Sequence, residues 1–231
     1  MNAASPDNNP HIVAALQRLT LFRGVSAEAL SRLAASCEII SVPRGNALFR
    51  RGEPATDLYA LVRGRVMLSV GVARDASKVI DIVGPGGHIG LASAVLGSTQ
   101  TATAETLADS KIVIVPRAAL LECAGVLPDL GLQLAASLSR QVCGLIADVE
   151  AYSLSSGRSR VANYLLQVAS AHGARQRPVP LPAKKSVIAS RLSLTPEYFS
   201  RMLHELITCG AIAVDGRQIT VLDSARLRQC D

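Results

Sequence analysis

The sequence contains no run approaching the roughly 20 uninterrupted apolar residues that would span a bilayer. Its opening, MNAASPDNNP, has neither the basic region nor the apolar stretch of a secretory signal. A cytoplasmic protein with no membrane partner is therefore expected. A CxxC pair is also missing. The five cysteines, Cys37, Cys123, Cys143, Cys209 and Cys230, are odd in number and widely spaced, which argues against a zinc knuckle or a dithiol redox motif and favours reduced thiols packed as small apolar groups. Paired carboxylates, a nucleophile beside a base, metal-ligand spacing and a phosphate loop do not occur in settings that support catalysis, so the chain is not expected to be an enzyme.

What is present is apolar content and a localised charge. With 231 residues, 49% of them hydrophobic, the chain can bury one large core and a smaller one, so two domains of unequal size are expected. Residues 1–152 hold 13 basic and 13 acidic side chains, whereas residues 153–231 hold 11 and 5, so the whole net charge of +6 falls in the last third. A basic excess confined to one segment suits phosphate contacts and counterion release, although a solvated basic surface gives the same count.

Residues 1–10 are expected to form a disordered tail. Helical spacing follows in two short pieces broken at LFRGVS, with Ser26 as N-cap of the second. Residues 39–115 change character: IISV, ALF, LYALV, RVMLSV, VIDIV and KIVIVP alternate with turn signals at RG, RGEP, VRG and GPGG. Many short strands with glycine punctuation indicate a compact β roll or barrel, in which Gly45, Gly52 and Gly64 serve backbone geometry. Residues 11–127 are thus read as a sensor domain of β-roll type with flanking helices, giving an α+β fold class. In residues 128–152, Leu130, Leu134, Leu138, Val142, Leu145, Val149 and Tyr152 recur at threes and fours. That stripe predicts a long helix and a parallel helix–helix seam in a homodimer.

Residues 153–231 carry the most specific pattern. KKSVIASRLSLTPEYFSRMLHEL, residues 184–206, fits two short helices with a tight turn at SLT. Thr195 can cap the second helix, Pro196 suits its first turn, and Glu197 adds a favourable negative charge there. The outward face near that N-terminus shows Glu197, Ser200 and Arg201: a carboxylate for cytosine N4, a hydroxyl, and a guanidinium for guanine O6/N7. AIAVDGRQITVL then reads as two strands joined at Asp215–Gly216, with Arg217 beside the tip. A helix-turn-helix followed by a β hairpin is a winged helix, and Arg217 and Lys185 are candidate phosphate contacts.

In the order of these parts, over roughly residues 15–228, the chain resembles the CRP/FNR superfamily of transcription regulators. The wording of LPAKKSVIASRLSLTPEYFSRMLHEL and GAIAVDGRQITVLD is similar to the DNR-like branch, which answers to denitrification and nitric oxide. The resemblance implies a cyclic-nucleotide-binding-like roll, a homodimer, double-stranded DNA and RNA polymerase as partners, and inverted repeats of TTGAT-type half-sites read by Glu197, Ser200 and Arg201. It also defines what the sensor lacks. Cyclic-nucleotide-binding relatives grip the ribose with a Gly-Glu pair and the phosphate with Arg-Ser or Arg-Thr; here Gly90 and Thr101 remain, but Leu91 and Gln100 stand at the glutamate and arginine positions. An apolar group cannot accept from a ribose hydroxyl and an amide cannot neutralise a phosphate, so cyclic AMP is not expected. The N-terminal cysteine group of an iron–sulfur sensor is absent and no such cluster is expected. Haem stays open through His11, His88, His172 and His204, with His88, near the altered cassette, the candidate of interest and a hydrogen-bonded turn histidine the plainer reading. The rival to a DNA-binding regulator is a small-molecule-binding regulatory module with a C-terminal interaction domain.

Overall fold

The computed structural model describes residues 9–71, 77–171, 173 and 177–228. His172, Cys230 and residues 1–8 of the expected tail lie outside them, whereas Asn9 and Pro10, also assigned to that tail, open a helix. The chain divides into two compact units, residues 1–143 and 144–231, and the division falls inside one helix rather than between elements.

The first unit begins with α1 (Asn9–Gln17), a 3-10 turn (Thr20–Phe22) and α2 (Ala27–Ala34). Ser26 caps α2 as expected, its hydroxyl accepting from the Ala29 amide at 3.2 Å. The roll comprises β1 (Glu38–Val42), β2 (Ala47–Phe49), β3 (Asp57–Val70), β4 (Lys78–Val83), β5 (His88–Ile89) and β6 (Thr103–Pro116), with α3 (Leu91–Leu96) between β5 and β6. Strands run in the order β1-β6-β3-β4, with β2 also on β6 and β5 also on β3, all antiparallel.

LYALV and RVMLSV, read from sequence as separate strands around a VRG turn, are one 14-residue strand. Gly64 lets the strand continue: at φ +98° it absorbs a register shift, and its backbone lies so close to β6 that a Cβ would sit 2.2 Å from Ser110 Oγ and 2.6 Å from Ser110 Cα. KIVIVP is likewise only the end of β6.

The strands feed two apolar clusters. Phe49, Leu61, Val66, Val83, Ile89 and Ile112 fill the roll. Leu16, Phe22, Leu33, Leu58, Val113 and Leu120 form a second cluster with the N-terminal helices and α4 (Arg117–Val126).

The long helix, α5 (Pro128–Leu154), matches the expected extent within two residues. Its stripe does not have a single partner. Leu130 (1% exposed) and Leu134 (6%) are buried in the second cluster, and Leu138 packs partly against it. These three, expected in a seam, are therefore part of the chain's own core, because helical periodicity carries the first turns of the stripe onto the roll. Val142, Leu145, Ile146 and Val149 lie 55–64% exposed. By length and composition alone α5 could cross a membrane, with mean hydropathy 1.2 over its most apolar window. Its first half is anchored in the second cluster, and Arg140, Asp148 and Glu150 interrupt its apolar character.

The second unit continues with α6 (Gly157–Ala171), β7 (Val179–Pro180), α7 (Lys185–Arg191), α8 (Pro196–Thr208), β8 (Ile212–Asp215), β9 (Gln218–Val221) and α9 (Ser224–Arg228). Its core comprises Val161, Leu165, Ile188, Phe199, Leu203, Leu206, Ile212 and Ile219. The sheet order is β7-β9-β8, so the wing has a third strand that the proline-rich RPVPLPA concealed from pattern reading.

Candidate nucleic-acid interface

Helices α7 and α8 are joined by a short turn in which Ser193 adopts φ +57°, the one non-glycine residue in the left-handed region among the described residues. The Leu194 amide donates to the Ala189 carbonyl at 2.9 Å, closing the turn, and buried Ala189 allows the close approach. Thr195 caps α8 as expected: its hydroxyl accepts from the Tyr198 amide at 3.2 Å, with Pro196 at the first helical position. Phe199, Met202, Leu203 and Leu206 face the core. Glu197, Ser200, Arg201 and His204 are exposed, and their spacing of three and four puts them on one face.

Arg201 is not a loose side chain. Its guanidinium carbon lies 4.8 Å from the centroid of the Tyr198 ring, and its Nε lies 4.0 Å from Glu205 Oε1. Lys184 and Lys185, at the start of α7, are exposed. The wing turn is shifted by one residue from expectation. Asp215 pairs with Gln218, so the two loop residues are Gly216, at φ +57°, and Arg217. Arg217 is exposed at the tip, with one guanidinium nitrogen donating to the Leu181 carbonyl at 3.3 Å, which leans it back toward β7.

One arrangement escaped the sequence reading. Tyr152, read as the last residue of the dimer stripe, belongs to the winged unit: its hydroxyl donates to the Arg191 carbonyl at 2.6 Å and accepts from the Arg191 guanidinium. The same guanidinium holds Asp148 at 2.7 Å. Arg160 of α6 reaches the Leu192 carbonyl at 3.0 Å and the Ser155 carbonyl at 2.7 Å. The final turns of α5 are thus fastened to the last residue of α7. Burial raises the Tyr152 pKa, while the nearby arginines oppose that shift.

In the roll, the five candidate effector residues differ in burial. Leu91, 1% exposed, is core. Gln100 is buried, its amide 3.6 Å from where a Gly90 Cβ would lie, and its backbone bonds Glu53 and Gly52. Thr101 is exposed. Gly90, at φ +83°, is the N-cap of α3. His88 faces α5: its Nε2 lies 3.2 Å from both Ser137 Oγ and Gln141 Nε2. The amide nitrogen can only donate, so His88 Nε2 accepts and the ring is neutral. Burial, with help from Arg140, lowers its pKa to about 4.

A separate cavity of about 380 Å³ lies between α2 and α4, lined by Arg32, Ser36, Glu122, Cys123 and Val126 among others. Burial, with Cys123 adding to it, pushes the Cys37 thiol up to about 12, which makes it a packed thiol and not a reactive one.

A basic winged helix with a polar face on its second helix, in a chain whose other unit is a β roll, defines a DNA-binding transcription regulator. Comparison with known proteins agrees. Residues 39–125 match the cyclic nucleotide-binding domain and residues 159–230 the Crp-like helix-turn-helix domain. The CRP-like cAMP-activated global transcriptional regulator of Mycobacterium tuberculosis is 26% identical over 92% of this chain and 96% of its own length. The fumarate and nitrate reduction regulatory protein of Vibrio cholerae is 25% identical over 81% and 76%. The structure of FixK2 from Bradyrhizobium japonicum superposes with a TM-score of 0.78 at 25% identity, over 84% of this chain and 97% of that one. The chain belongs to the CRP/FNR family of transcription regulators, which are not enzymes.

Proposed function

We propose that this regulator acts as a cytoplasmic homodimer that reads an inverted repeat of TTGAT-type half-sites and answers to a signal other than cyclic AMP. The observation that carries the DNA reading is the exposed Glu197, Ser200 and Arg201 triplet on the first turns of the capped helix α8. A carboxylate, a hydroxyl and a guanidinium at that spacing can address cytosine, a neighbouring base or phosphate, and guanine in one half-site. Lys185 and Arg217 flank this face as phosphate contacts. RNA polymerase is the partner that such a regulator addresses.

The dimer reading rests on Val142, Leu145, Ile146 and Val149, an exposed apolar stripe on α5 that a second copy of the same helix would cover. Two copies would present two α8 helices to successive major-groove faces of a pseudo-palindrome.

The residues of the roll do not fit a cyclic nucleotide: Leu91 is buried hydrocarbon and Gln100 is a buried amide where the phosphate needs a cation. A haem would take an axial ligand from a histidine, and the described ones are His11, His88 and His204. His88 Nε2 is engaged by α5, while His11 and His204 are exposed on their helices. Among the described residues no three His, Cys, Asp or Glu side chains come together as metal ligands. Signalling is then a population shift between poses of the DNA-reading unit, biased by the roll.

Retardation of a labelled TTGAT palindrome tests the reading. The wild-type chain is expected to bind it and not a scrambled duplex, and Arg201→Ala to lose about 1–3 kcal/mol on the palindrome and little on random DNA. Equal loss on both would sink the assignment.

A further inference from the structure

We infer that Tyr198, seated on Gly157, is a specificity-determining positioning residue that holds the Arg201 guanidinium ready for its base. The inference rests on the reading of Arg201 as a guanine contact, and deepens it by naming what fixes that side chain before DNA arrives.

Three observations converge on this. Tyr198 lies one turn before Arg201 on α8, and its ring carries the guanidinium on its face at 4.8 Å from the centroid, a cation–π arrangement. Glu205, one turn beyond, places its Oε1 4.0 Å from the Arg201 Nε. A free arginine side chain would lose much rotamer freedom on docking to a base; one already laid along a ring loses less.

The ring itself is fixed from below. A Cβ on Gly157, at the first position of α6, would lie 2.6 Å from Tyr198 Cε1, 2.8 Å from its hydroxyl oxygen and 2.9 Å from Cζ. Only a residue with no side chain at 157 leaves the ring where it is. Gly157 is not in the left-handed region, so its value here is the space it leaves and not a special backbone angle. The overlapping atoms are the far end of a side chain, so Gly157→Ala should displace the ring while leaving the helix intact. The Thr195 cap on the Tyr198 amide sets the backbone from which the ring extends. A glycine on α6 thereby reaches the reading face through one aromatic ring, with no contact of its own to a base.

The test measures binding of the full chain to two duplexes, the TTGAT palindrome and the same duplex with the guanine replaced by adenine in both half-sites. The readout is the ratio of the two dissociation constants. Tyr198→Leu, which keeps an apolar side chain but removes the ring face, should reduce the ratio roughly two- to fivefold, the value of an exposed cation–π contact. Gly157→Ala should reduce it in the same direction, and Tyr198→Phe should retain it. A purely structural role would weaken both duplexes equally and leave the ratio unchanged in every variant, which overturns the inference. Arg201→Ala separates the two layers. If it leaves the ratio at the wild-type value, the base assignment itself fails. If it abolishes the ratio while Tyr198→Leu and Gly157→Ala do not move it, the base assignment stands and the positioning role of Tyr198 falls.

Discussion

Replacing Arg191 with methionine keeps the aliphatic stem and removes the guanidinium that fastens the end of α5 to α7. The size of the effect follows from the surroundings. The contact to Asp148 is short, at 2.7 Å, and the two side chains are 19% and 31% exposed. A well-buried charged hydrogen bond contributes about 1.5–3 kcal/mol and an exposed ion pair about 0.2–1. This pair lies between, at about 1.5 kcal/mol. No orphan is added at Tyr152, whose hydroxyl still donates to the residue-191 carbonyl. Because the chain has two units, global unfolding is a poor assay; hydrogen exchange of amides around α7 reports the local opening directly. The Ile188 and Leu192 amides, bonded at 3.1 and 3.0 Å within that helix, should exchange about tenfold faster, while β3 amides stay unchanged. A double-mutant cycle with Asp148→Asn should show coupling. Full additivity of the two substitutions, or exchange at α7 within twofold of wild type, would refute the fastening role.

Four further outcomes are expected. The His88 pKa is depressed in the folded roll, so the unfolded chain takes up the proton first: the contribution is complete above about pH 6.5 and is lost as pH falls toward about 4. Melting of the first unit followed across that window should show a loss on the order of 2 kcal/mol that His88→Asn flattens. Lys185→Ala should weaken binding alike on specific and random DNA and reduce the slope of log K against log salt by about 1, read from a salt titration. Val149→Asp together with Leu145→Asp should convert a dimer to a monomer in sedimentation velocity while the roll stays folded, since both side chains are exposed on α5. Gly64→Ala should destabilise the roll by about 3 kcal/mol in thermal melts, because the added carbon meets the backbone of Ser110.

Local signals in the sequence were legible where the chemistry is local. Ser26 and Thr195 announce their helices because a cap needs only one hydroxyl and one nearby amide. The exposed face of α8 could be read for the same reason: core and solvent positions alternate within a single helix. Legibility failed where distant elements decide. Gly64 looks like a turn because glycine marks turns, yet here it serves a crossing with Ser110 that lies 46 positions away. The α5 stripe was read as a single surface, because spacing cannot tell which partner covers which turn; Leu130 and Leu134 go to the roll and Tyr152 to the winged unit. The engagement of His88 by Ser137 and Gln141 is invisible in the sequence because it depends on a helix folded back from 49 positions later.

The division of the chain at residues 143 and 144 has a genetic consequence. A lesion confined to the turn between α7 and α8, such as a β-branched residue at Ser193 where the backbone is left-handed, changes neither the roll nor the exposed α5 side chains Val142, Leu145, Ile146 and Val149. In a dimer of the kind proposed, the damaged chain would still find partners. A cell carrying both alleles would then assemble mixed pairs with one working reading head, and most of its dimers would include at least one damaged subunit. Loss of DNA reading in this protein should therefore be inherited as a dominant trait, whereas loss of the roll, which removes the chain from the pool of partners, should be recessive.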